Sequence, residues 1–121
     1  SVIKNETKLK QYVFHVIHIP LAEDAEWEQA ETLLMAIADE IVAPYLTELT
    51  RHMQRLSDRY SLDMPSVDPK VHLLMPNAKQ VTLALRIPIV IHKRGRLEQY
   101  IIREYLKRRE HVNTEDSGES A

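Results

Sequence analysis

The sequence has no cysteine. Disulfide frameworks, thiolate metal sites and cysteine nucleophiles are therefore excluded, and the chain fits a reducing compartment. Glycine occurs only at Gly95 and Gly118, so no glycine-rich loop can cradle a phosphate. Neither a His-Glu-x-x-His pattern nor a nucleophile elbow occurs. No signal peptide is read in these residues, and no apolar run approaches the roughly 20 residues that span a bilayer. The longest, Val81 to Ile91, contains Arg86 and Pro88. Charge of one sign is also scarce: the net charge of -2 argues against bulk attraction to nucleic acid.

What the chain does contain is patterned apolar sequence and divided charge. Its 121 residues are enough for one domain, which we place at residues 1–109. Residues 110–121 are polar, acidic and poor in large apolar groups, which predicts a disordered tail. The first residue is Ser1 and not Met, so either the initiator was removed or this is a piece of a longer protein; the start Ser1 to Thr7 reads as the end of something earlier, which favours the piece.

From Glu23 to Glu40 there are seven acids and no Lys or Arg, while Lys93 to Arg109 holds seven Lys or Arg and two Glu. Two helices carrying these charges would attract each other within a subunit or between subunits. Two independently solvated faces are the plainer expectation, because exposed ion pairs contribute little.

Tyr12 to Ile19 reads as a strand closed by Pro20. Tyr12, Phe14, Val16 and His18 share one face, and Val13, His15, Ile17 and Ile19 the other. Both are largely apolar, so cover on both sides is expected. Asp24 is a candidate N-cap. Trp27, Ala30, Leu34, Ile37 and Ile41 make one helix face. Pro44 should kink or end that helix, and Leu46, Leu49, Met53, Leu56 and Tyr60 resume the spacing. After a loop from Leu62 to Pro69, Val71 to Met75 reads as a strand and Pro76-Asn77-Ala78 as its turn.

The partner strand is the clearest stretch of all. Every odd position from Val81 to Ile91 is Val, Leu or Ile, and period-two alternation marks a strand with one buried face. A basic turn, His92 to Arg96, then leads into an amphipathic helix from about Leu97 to Leu106. The order strand, helical segment, strand, strand, helix predicts an α+β fold, a ferredoxin-like β-α-β-β-α sandwich. Right-handed crossover gives the spatial strand order 1-3-2. Pro88 fits poorly there, since a central strand does not tolerate proline.

For chemistry there are six histidines and two charged clusters. His15 and His18 lie on opposite faces of one strand, whereas His72 and His92 lie on different strands and could approach across the sheet. Single polar-face histidines are the plainer reading, and no metal or cofactor is expected. Acids from Glu23 to Glu31 sit where a helix N-terminus favours negative charge, so no catalytic residue is assigned to them. Lys93, Arg94 and Arg96, also at a helix N-terminus, are candidates for holding a phosphate or an acidic partner. The absence of an aromatic platform beside them weakens an RNA-binding role.

The pattern resembles the cytoplasmic C-terminal α/β region of mechanosensitive channels of the small-conductance type. The resemblance is carried by the lead-in Ile3-Lys4-Asn5-Glu6-Thr7 and the strand-to-helix stretch Tyr12 to Glu26. It continues through Pro69-Lys70-Val71, Val81-Thr82-Leu83-Ala84-Leu85-Arg86 and the helix ending Tyr105-Leu106-Lys107. It implies a homo-oligomer, a heptamer in the full-length channel, with the domain forming part of a vestibule below upstream membrane spans. The implied role is support of assembly and gating, with solute filtering, during osmotic solute release. Separately, the lack of a converging nucleophile-base set weighs against an enzyme, and the net charge against a nucleic-acid partner. The chain departs from that family in its long segment Asp24 to Tyr60 and in lacking a last strand after Leu106. The alternative is a ferredoxin-like regulatory domain that senses a small molecule, since such folds host many functions.

Overall fold

The computed structural model describes residues 12–120; the lead-in Ile3 to Thr7 and the final Ala121 lie outside them. The protein is α+β. Three strands, β1 (Tyr12–Leu21), β2 (Lys70–Asn77) and β3 (Gln80–Val90), accompany three helices, α1 (Trp27–Val42), α2 (Leu46–Tyr60) and α3 (Arg94–Ser120), with a 3-10 turn at Ile91–Lys93. The sheet order is β1-β3-β2, the order expected from the sequence. Both pairings are antiparallel, so β1 and β2 run parallel on either side of β3.

The alternation in β3 becomes the core. Leu83, Leu85, Ile87 and Ile89 are fully buried. They cluster with Ile17, Ile19 and Leu21 of β1, with Ala30, Leu34, Ile37, Ala38 and Val42 of α1, and with Ile101 and Tyr105 of α3. Helices α1 and α3 thus lie over the odd-numbered face of the sheet. The α1 stripe is turned relative to the expected one. Trp27 is exposed and Ile41 half-buried, while Ala38 and Val42 are buried. Asp24 is not the N-cap: Glu26 holds that position without a side-chain cap, because the turn closed by Ala25 N–H on Ala22 O places the first helical turn later.

Pro44 ends α1, and α2 starts afresh after a short turn. On α2 only Leu49 is buried, with Leu46, Met53 and Leu56 half-buried and Tyr60 exposed. The helix stops at Ser61, whose left-handed φ of 52° lets its N–H reach Ser57 O. The hairpin turn is Ala78-Lys79, two residues later than expected, and the Asn77 side chain accepts the Lys79 N–H at 3.0 Å. α3 continues well past Leu106 to Ser120, through most of the stretch read as a disordered tail.

Pro88 is accommodated by the length of β2. The β2–β3 ladder ends at Lys70 opposite Arg86, so beyond Arg86, among the described residues, β3 has a strand neighbour only on the β1 side. In a hydrogen-bonded antiparallel pair a residue's N–H and C=O point to the same side. The Pro88 carbonyl accepts the Tyr45 hydroxyl at 2.7 Å, so the missing N–H also points away from β1 and no ladder bond is lost. The same alternation turns the backbone groups of the even residues of β1 outward. Pro20 is one of these, and its missing donor falls on the sheet edge, where proline is tolerated.

The even-numbered sheet face is covered at one end only. Ala84, Pro88 and Val90 are buried there, as are Leu49 and Val67. Val16 and His18 are exposed, which corrects the expectation that β1 is covered on both sides.

Candidate functional site

The basic turn forms where β3 runs directly into α3. The strand ends at Val90, one 3-10 turn spans Ile91–Lys93, and α3 begins at Arg94. Lys93, Arg94 and Arg96 are therefore neighbours at one helix start, all exposed. Among the described residues none of the three has an ion-pair partner. Gly95 sits inside the first turn of α3, not at a tight bend. It has no positive φ, and a Cβ there would meet nothing within 4 Å. The turn carries exposed positive charge and first-turn backbone donors, the groups that attract an anion.

The divided charge does meet within the chain. Arg108 of α3 pairs with Glu40 of α1 at 2.7 Å and with Glu104, one turn earlier, at 3.1 Å. The Arg108 guanidinium is held above its ordinary pKa, first by the Glu40 hydrogen bond. Near the basic turn, the His15 imidazole Nε2 lies 3.2 Å from Glu98 Oε2, tying β1 to the first turns of α3. His72 and His92 do not approach each other. His72 stands opposite Ala84, whereas His92 lies beyond the end of β3. The pair that the register does bring together is His18 and His72, on either side of Ala84. Among the described residues no three His, Asp or Glu side chains converge as a metal site.

Arg86 is a half-buried cation that motif patterns do not mark. Its guanidinium lies 4.6 Å from the Phe14 ring centroid, a diagonal cross-strand contact of cation–π type. Its Nη2 donates to Ser66 O at 3.1 Å, pinning the loop before β2 onto the sheet. Its Nε is buried without a hydrogen-bond partner. The available signal is a single cation in an otherwise apolar strand, which needs a partner on its own face.

A cavity of about 480 Å³ opens between the β1–α1 connection and the far part of α3. Asp24, Glu26 and Gln29 line one wall, Tyr105 and Arg109 the other, and the Arg109 guanidinium lies 5.9 Å from the Tyr105 ring centroid. Burial raises the Tyr105 hydroxyl pKa, against the lowering effect of Arg109. A smaller groove on the open sheet face is lined by His18, Leu74, Met75, Pro76 and Thr82.

No helix among the described residues is long and apolar enough to cross a membrane. Comparison with protein-family models, with curated proteins and with solved structures finds no match to this chain.

Proposed function

We propose that this chain is a cytoplasmic domain of a mechanosensitive channel of the small-conductance type, working as one subunit's share of a homo-oligomeric vestibule. The observation that carries the reading is the arrangement β1-β3-β2 with β1 parallel to β2 and α1 in the connection between them. A split β-α-β unit of this kind supports the ferredoxin-like reading drawn from the order of elements. Lys93, Arg94 and Arg96 then serve as an exposed contact for an anion or an acidic neighbour. The domain supports assembly and gating, and the membrane is reached through spans encoded upstream of Ser1. The test is the coding sequence before Ser1. Several hydrophobic spans followed by a β-rich stretch support the reading; a soluble domain with no span there overturns it.

A second reading, a regulatory domain that senses a small molecule, is favoured by the cavity of about 480 Å³ between α1 and α3, a size typical of ligand pockets. A ligand held there would raise the melting temperature by mass action, and Arg109→Ala would remove the shift.

A further inference from the structure

The two outer strands expose their edges differently from most sheet edges. β1, at one side of the sheet, has ten residues, Tyr-Val-Phe-His-Val-Ile-His-Ile-Pro-Leu, and none is Lys, Arg, Asp or Glu. β2, at the other side, carries one charge, Lys70, at its start. Natural edges are guarded by charge, by mid-strand proline, by bulges or by brevity. The middle of β1 has none of these guards, and on β2 the register irregularity lies between Leu74 and Asn77, after the stretch Val71 to Leu73. Apolar side chains stand exposed on both: Val16 at 44% on β1, Leu73 at 45% and Leu74 at 40% on β2.

The ladder fixes which backbone groups are free. On β1 the outward residues are the even ones, including Phe14, Val16 and His18; Pro20, which lacks the donor, lies near the end. On β2 the residues opposite Arg86, Ala84 and Thr82 bond inward, which leaves Val71 and Leu73 facing out. Since β1 and β2 are parallel, one edge can continue into the other as a regular parallel ladder, with the helix-covered faces on the same side.

We propose that successive copies of this chain join edge to edge, β1 of one against β2 of the next. A two-fold contact between like edges would cover one apolar edge and leave the other bare; contact between unlike edges covers both. Head-to-tail contacts of this kind generate rings when the rotation closes. The proposal rests on the reading of the domain as a homo-oligomer and names the surface that makes it one.

The test uses two variants that each remove one outward N–H and no inward one, Val16→Pro and Leu73→Pro. Sedimentation velocity is measured on the wild-type chain, on each variant and on their equimolar mixture. Far-UV circular dichroism and melting establish that each variant is folded, with Val16→Lys and Leu73→Lys as substitutes for any that is not. The expected result is a wild-type assembly larger than a dimer and two monomeric variants. Their mixture forms a one-to-one dimer and nothing larger, because each partner supplies the edge that the other lacks. Three results overturn the proposal: a monomeric wild type, self-association of either variant alone, or a mixture of folded variants that stays monomeric. Since the test reads association of the isolated chain, its failure leaves the channel reading standing, which is decided by response to tension.

Discussion

The Tyr45 hydroxyl donates a 2.7 Å hydrogen bond to the Pro88 carbonyl oxygen. This contact ties the break between α1 and α2 to the end of the central strand, on the side where β3 has no strand neighbour among the described residues. The Tyr45 ring also lies 5.5 Å from that of Tyr12, at a tilt of 30°. Tyr45→Phe keeps the ring and removes the donor. It is expected to cost about 1 kcal/mol, the usual worth of one hydrogen bond whose acceptor is left part-buried, read as a lower urea midpoint with an unchanged slope.

The same hydroxyl sets a pH dependence. Burial, and secondarily the neighbouring Tyr12, push the Tyr45 pKa from 10.0 up to about 12. A raised folded-state pKa means that the folded chain favours the neutral, donating hydroxyl. Its contribution is fully present below pH 10.0 and is lost as pH climbs toward about 12. Tyr12 and Tyr105 are shifted in the same direction, so the wild-type stability should fall in this range. The difference between wild type and Tyr45→Phe should shrink across it; a constant difference would contradict the assignment.

Gly95→Ala should stabilise the protein. The position is helical, has no positive φ and has open space around it. Alanine there is expected to add roughly 0.5–1 kcal/mol through helix propensity and a less flexible unfolded chain. A loss of stability on thermal melting would show that the turn needs glycine.

Ile101 is the fully buried anchor of α3 in the core. Ile101→Ala should cost about 2–5 kcal/mol. Arg108→Ala, which breaks the pairs with Glu40 and Glu104, should cost no more than about 1 kcal/mol, because the Glu40 partner is exposed. That smaller loss should diminish in high salt. Chemical denaturation of both variants in low and high salt separates the two contributions.

The sheet is legible in the sequence because its signals are local. Odd-position Val, Leu and Ile from Val81 to Ile89 declare a buried face by their alternation alone, and Leu83 to Ile89 supply the centre of the core. The spacing of Leu97, Ile101 and Tyr105 declares the inner face of α3. What stays hidden depends on where neighbouring strands end. Pro88 fits because β2 stops short of it, and no property of Pro88 itself records that. Trp27 has the spacing of a first core residue of α1, but the turn after β1 leaves it 39% exposed. At the candidate site, Lys93, Arg94 and Arg96 are legible as a cluster because they lie within four residues of one another. The Arg86–Phe14 contact and the His18–Ala84–His72 row are set by register, which side-chain pattern alone does not fix across separate strands.

The most direct test of the account is a patch-clamp recording from membranes that carry the full-length protein containing this chain. The account predicts step currents that appear as suction raises membrane tension and that are altered when residues 12–109 are deleted. Membranes that stay silent at tensions up to rupture, with the protein present and folded, would contradict it.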